Sequence, residues 1–197
     1  MHNYSTDKNN SQYIIGILLI ISFILDFTIN SIINNGLSNL ISDPFFVFFI
    51  IHIFTFIVSF GILFWLFDTK LWKLKIINNF VGCPDVSGKW KGYIYSTNYQ
   101  PTETNVEIRQ TWTKISINLK TKTASSKSET LAFFTQDSGN PELHYIYYNK
   151  VRDTTYLKSH GGTGFLTFFK EKKMLKGEYY TDEHRKNNGK LILNKVN

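Results

Sequence analysis

Two uninterrupted apolar runs near the start of the chain limit its folding more than any other feature. "YIIGILLIISFILDFTINSII", residues 13–33, contains one charge, Asp26. "FFVFFIIHIFTFIVSFGILFWLF", residues 45–67, contains no charge and one histidine, His52. A bilayer core takes about 20 residues of helix, so each run is long enough to span one. The connection "NNGLSNLISDP" is short and rich in breakers, so the pair reads as a helical hairpin. A cleavable signal is the poorer reading of the first run. Lys8 is the sole positive charge ahead of it, and "NSIINNG" makes a poor cleavage site.

Charge sets the expected orientation. The link between the spans has no Lys or Arg, whereas Lys70, Lys73 and Lys75 follow the second span directly. The positive-inside rule then places both termini and the large domain in the cytoplasm. Residues 1–77 carry four Lys against four Asp, so the whole net charge of +7 belongs to residues 78–197. A basic domain suits an anionic partner. Cys83 is the one cysteine, which excludes an intrachain disulfide. Asp26 and His52 each lie seven residues from the loop-side end of their run, roughly 10 Å deep at the helical rise. Equal depth on antiparallel helices allows them to meet, within the hairpin or between protomers; the alternative reading is that Asp26 snorkels towards an edge.

From Asp85 onward the helical pattern gives way to apolar–polar alternation with turn signals about every ten residues. Strands are expected near 87–96, 104–110, 114–123, 125–135, 142–149, 160–169, 174–181 and 189–195. Eight short sequential strands with hairpin-length links imply an eight-stranded up-and-down antiparallel β-barrel, because closure removes exposed edges. The chain therefore divides into a tail (1–12), a first span (13–33), an outer loop (34–44), a second span (45–67), a juxtamembrane linker (68–84) and a barrel (85–197).

Period two assigns the faces. Trp90, Ile94 and Ser96 point inward opposite Lys89 and Lys91, and Ile115, Ile117, Leu119, Thr121 and Thr123 point inward from the third strand. The fourth is expected to turn Ser126, Ser128, Thr130 and Ala132 inward, because Lys127 and Glu129 belong in water. Leu143, Tyr145, Tyr147 and Asn149 follow from the fifth, and His160, Gly162, Gly164, Leu166 and Phe168 from the sixth. Leu175, Gly177, Tyr179 and Thr181 come from the seventh, with Gly189, Leu191 and Leu193 from the eighth. In an up-and-down meander the first, third, fifth and seventh turns share one end. Inward polar residues gather there and apolar ones at the other, giving a plugged floor and a polar mouth.

With that architecture in place, the chain resembles the two-transmembrane β-barrel effectors of bacterial cyclic-oligonucleotide antiphage signalling (CBASS), the CD-NTase-associated proteins. The runs that carry the resemblance are "SGKWKGYIYS", "VEIRQTWTKISINLKT" followed by "SSKS", "LHYIYYN", "HGGTGFL", and "LKGEYYT" with the later "GKLIL". It implies a receptor whose barrel binds a cyclic dinucleotide made by a cognate nucleotidyltransferase. The receptor then forms homo-oligomers and breaches the membrane lipid, killing the infected cell.

The expected ligand site is the mouth, where Thr123, Ser126, Ser128, Asn149, His160 and Thr181 converge, with Tyr147 one inward step deeper to stack on a base. Arg185 is the best-placed guanidinium for a phosphate, with Arg152 and Lys158 as substitutes. Asp153, Ser159 and His160 could be imagined as a triad, and His144, His160 and His184 as metal ligands. None lies in a recognisable motif, so no enzymatic activity, cofactor or metal is expected. Tyr93, Tyr95 and Tyr148 face outward without forming a stacking platform for long nucleic acid. A membrane-tethered lipid carrier is the main rival. Inward hydroxyls and Asn149 oppose it, because a fatty chain would leave them unpaired.

Overall fold

The structure is a computed structural model that describes residues 1–8, 10–37, 44–135, 139–151, 158–183 and 186–196. It divides into two compact units, Asn9–Val81 and a second made of Met1–Lys8 with Gly82–Asn197.

In the first unit, α1 (Ser11–Leu37) and α2 (Pro44–Thr69) are both long and apolar enough to cross a membrane. Their lengths follow from the sequence: neither run holds a breaker strong enough to stop a helix. A 3₁₀ turn (Leu71–Lys73) and α3 (Lys75–Val81) continue from α2. Ile14, Leu18, Ser22, Asp26 and Asn30 recur every four residues on α1 and are all buried. That stripe meets α2, and its loop-side half is polar. His52 Nδ1 donates to Asp26 Oδ2 at 3.0 Å, so the pairing that equal depth allows occurs within the hairpin. Thr55 Oγ1 also donates to Asp26, and Asn30 Nδ2 donates to Asp26 Oδ1 at 2.6 Å and to Thr55 Oγ1 at 2.8 Å. As glue this cluster is inefficient. Interhelical hydrogen bonds in membranes contribute about 0.6 kcal/mol each, whereas a carboxylate at mid-span costs up to about 3 kcal/mol to insert.

The second unit is the expected barrel. Two short strands, β1 (His2–Asn3) and β2 (Ser5–Thr6), precede eight longer ones in the chain. These are β3 (Gly88–Ser96), β4 (Thr102–Gln110), β5 (Lys114–Lys120), β6 (Ala124–Phe134), β7 (Glu142–Val151), β8 (His160–Phe169), β9 (Met174–Thr181) and β10 (Asn188–Lys195). Each of β3 to β10 pairs antiparallel with the next, and β10 returns to β3 from Gly189–Ser96 to Lys195–Trp90, which closes the ring. The floor is apolar and tight. Trp90, Ile108, Ile115, Phe133, Leu143, Leu166, Leu175 and Leu193 are fully buried, and Trp90 Nε1 donates to Val86 O at 3.0 Å.

Two features depart from simple alternation. In β6, Ser128 pairs with Tyr147 but Thr130 pairs with Ile146, so Glu129 is an extra residue in a β-bulge. The bulge turns Leu131 and Phe133 inward and leaves Thr130 exposed and Ala132 half-buried. The expectation that Thr130 and Ala132 face inward is corrected, because one inserted residue inverts every face after it. The second departure is the segment read as a tail. β5 and β6 pair directly just from Asn118–Lys127 to Lys120–Ser125 and splay below. Residues 1–8 fill that gap, with β1 antiparallel to β5 and β2 parallel to β6.

Side chains pin this strap. His2 Nε2 lies 2.8 Å from Ser128 Oγ, Tyr4 Oη donates to Thr111 O at 3.2 Å, and the Tyr4 ring meets Phe133 edge-on at 5.4 Å. Asp7 accepts from the Thr135 amide at 2.6 Å and from its hydroxyl at 2.7 Å. Tyr4 Oη also lies 3.2 Å from the buried Cys83 Sγ, and burial pushes that thiol up to about 12 from an ordinary 9.0.

Tyr4→Ala should therefore destabilise the barrel by about 1–3 kcal/mol and accelerate modification of Cys83 by a disulfide reagent at pH 8 more than tenfold. Labelling at the wild-type rate would show that the strap does not cover the thiol. The raised thiol also sets a pH dependence. Its contribution to stability is fully present below pH 9.0 and is lost as pH rises towards about 12, since the unfolded thiol ionises first.

Candidate functional site

The turns after β3, β5, β7 and β9 share one end of the barrel, and a cavity of about 250 Å³ opens there. Among its lining residues are Thr123, Ser126, Tyr147, Asn149, His160 and Thr181. Six of the eight residues expected from the sequence thus surround one space. Ser128 does not line it. Its hydroxyl lies lower, buried between His2 Nε2 and the Ile117 amide, which donates to it at 2.9 Å. Arg185 lies outside the described residues, as do Arg152, Asp153 and His184.

Glycines make the cavity possible. Gly162 and Gly164 of the "HGGTG" run face inward, paired across the β7–β8 ladder with Tyr147 and Tyr145. A Cβ on Gly164 would collide with the Tyr145 ring, and one on Gly162 would collide with Tyr147. With no side chain there, the two rings lie across β8, their centroids 5.9 Å apart. Tyr145 has its phenol proton held above the ordinary range by burial, so it remains a hydrogen-bond donor at physiological pH.

The hydroxyls at the mouth fall into two groups. Thr181 Oγ1 donates to Asn187 O at 2.9 Å and accepts from its amide at 2.8 Å, which ties the β9–β10 turn. Thr121 Oγ1 accepts from the Ala124 amide at 3.0 Å and donates to its carbonyl at 3.3 Å across the β5–β6 turn. β5 ends at Lys120, so Thr121 and Thr123 belong to that turn rather than to the strand. Thr123 and Ser126, by contrast, make no hydroxyl hydrogen bond among the described residues. His160 Nδ1 lies 3.2 Å from Lys158 O, which can only accept, so Nδ1 carries the proton. Nε2 is then left to accept from Asn149 Nδ2 at 3.4 Å.

Sequence reasoning missed Tyr99, Thr102 and Asn187, which also line the cavity. Thr102 could have been found by extending the second strand two residues. Tyr99 and Asn187 lie in turns, where alternation assigns no face. Among the described residues that line it there is no Lys or Arg. Cations gather just outside. A groove on the outer wall, bordered by exposed Lys120, Lys127 and Lys150, shares Leu119 and Ser126 with the cavity wall. Among the described residues no group of three His, Cys, Asp or Glu could hold a metal ion.

A closed antiparallel barrel with a tyrosine-lined polar mouth agrees with what comparison finds. Residues 81–195 match the family described as Cap15, cyclic dinucleotide receptor domain. The chain belongs to that family. It is also 29% identical over 133 residues to CD-NTase-associated protein 15 of Yersinia aleksiciae, an alignment that covers 66% of this chain and 64% of that relative. The chain thus spans less than two thirds of the relative's length. Within the receptor domain, the match runs through every barrel strand from β3 to β10.

Gly164→Ala provides a direct test of the cavity geometry. The new methyl meets the far end of the Tyr145 ring and must push it into the open space. The barrel should stay folded by circular dichroism while affinity for a cyclic dinucleotide falls at least tenfold by calorimetric titration. Unchanged affinity would place the ligand away from the tyrosine floor.

Proposed function

We propose that the mouth of this barrel binds a cyclic dinucleotide, and that binding drives self-association and disruption of the membrane holding the hairpin. In that role the protein is an antiphage CBASS effector, activated by the product of a partner nucleotidyltransferase. The observation that carries this reading is the polar, tyrosine-lined cavity at the open end of a barrel of the cyclic dinucleotide receptor family.

Size and chemistry both support it. Ligand pockets commonly measure about 300–1,000 Å³, so a cavity of about 250 Å³ holds part of a dinucleotide and leaves the rest at the rim. One base enters beside Tyr147, where stacking contributes on the order of 1–3 kcal/mol. Asn149, with Ser126 and Thr123, supplies directional hydrogen bonds to its edge, and His160 orients Asn149. The phosphates stay at the rim, within reach of Lys120, Lys150 and Lys158; Arg185, between β9 and β10 in the sequence, is the guanidinium proposed to join them. A lipid carrier is disfavoured, because an acyl chain there would strand the Thr123 and Ser126 hydroxyls, which make no hydrogen bond among the described residues. Lys70, Lys73 and Lys75 after the second span support a cytoplasmic barrel on the inner membrane.

The test uses full-length protein in detergent, titrated with cyclic di-AMP, cyclic di-GMP and cyclic di-UMP as probes. Ser126→Leu combined with Asn149→Leu should abolish binding of whichever probe the wild type takes, with melting unchanged. Leu193→Ala on the floor should cost about 2–4 kcal/mol of stability and leave affinity within twofold. Normal binding by the double variant, with loss on Tyr93→Ala or Tyr148→Ala, would move the ligand to the barrel's outer wall.

A further inference from the structure

Asp26 and His52 share a hydrogen bond between two helices that are otherwise almost wholly apolar, and they differ in access. The Asp26 side chain is 7% exposed and the His52 side chain 39%. An imidazole turned outward from a hairpin of Ile, Leu and Phe meets hydrocarbon, which offers it no partner. Its exposed edge therefore belongs against another hairpin or against water. Asn30 adds a second sign. Its Nδ2 donates to Asp26 and Thr55, yet its Oδ1 is buried and accepts no hydrogen bond. The other ionisable residues of α1 and α2 are Tyr13 and Asp68, each more than three helical turns from the pair along its helix. The pair faces no other charge from either helix. Hydrogen bonding alone gives a weak reason to keep a carboxylate and an imidazole at this depth, and ionisable groups inside membranes commonly mark ion or proton paths.

The geometry points to Asp26–His52 as an intramembrane proton-binding site, through which assembled hairpins make the bilayer permeable to protons. His52 Nδ1 donates to the carboxylate, so Nε2 is the nitrogen that takes a proton from the assembly surface. When it does, Nδ1 passes its own proton to Asp26 Oδ2, leaving a neutral imidazole and a carboxyl group. Only N–H and O–H bonds are exchanged, and no oxidant or co-reactant is needed. Thr55 donates its hydroxyl to the same carboxylate and holds it in place for the exchange. Run in reverse, the exchange returns the proton to Nδ1 and releases one from Nε2. The site therefore takes a proton from one side of the assembly and gives it up to the other without an open channel, and proton leakage precedes the release of larger solutes.

This inference rests on the membrane role proposed above, and its test separates the two. Full-length protein is reconstituted in phosphatidylethanolamine–phosphatidylglycerol vesicles with whichever of the three cyclic dinucleotide probes binds it. One set of vesicles holds a pH-sensitive dye and receives a pH step; a second set holds carboxyfluorescein. Wild type should raise proton entry more than tenfold over empty vesicles. At nucleotide concentrations that release no carboxyfluorescein, Asp26→Asn and His52→Gln should each remove at least nine tenths of that increase, with crosslinked oligomers unchanged. The exchange Asp26→His with His52→Asp should restore it. If both single variants admit protons at the wild-type rate, the inference falls while the membrane role stands. If the variants lose their oligomers together with the flux, the cluster is interhelical glue and the inference falls. If wild type admits neither protons nor dye, the membrane role falls and takes the inference with it.

Discussion

Closure of the barrel depends on a short seam. Between β5 and β6 direct pairing stops at Asn118–Lys127, and below that point the ladder would present two open edges. Residues 1–8 supply the missing partners, one strand to each edge, and His2, Tyr4 and Asp7 lock them through Ser128, Thr111 and Thr135. Unpaired backbone groups in a wall are costly, so the strap is a structural requirement and not an ornament. The floor under the cavity depends on it too, since Tyr4 packs on Phe133 and Ser128 bonds the Ile117 amide.

Above that floor the barrel separates two tasks by height. Large aliphatic and aromatic residues fill the closed end, and glycines on β8 trade side-chain volume for two tyrosine rings nearer the mouth. Hydroxyls at the rim are likewise divided. Thr121 and Thr181 hold turns, Ser128 holds the strap, and Thr123 with Ser126 face the cavity. Among the described residues the cavity lining holds no Lys or Arg, and Lys120, Lys127 and Lys150 lie exposed on the outer wall. An apolar floor with fixed neutral donors above it favours a ligand whose bases go in and whose charge remains outside.

Most of this architecture was legible in the sequence, because the two signals that matter are periodic. Twenty-residue apolar runs and period-two alternation are physical requirements of a span and of a closed wall, and they placed the hairpin, all eight long strands and six of the cavity residues. The failures have local causes. Alternation contains no mark for an inserted residue, so the Glu129 bulge inverted Thr130 and Ala132. Residues 1–8 carry no alternating pattern, because two-residue strands are too short to show one. Their role appears only once the gap at β5–β6 is seen. Ser128 reads as a cavity residue because inward polarity says nothing about which partner a hydroxyl already has.

The strap also fixes an order of events during synthesis. His2 bonds to Ser128, a partner 126 positions later in the chain. The strap therefore leaves the ribosome before either edge it must join, and both apolar helices emerge while it waits. Contacts of such long sequence separation form slowly, so the seam closes after both helices have been made. The wall is thus completed at β5–β6 by the segment made first.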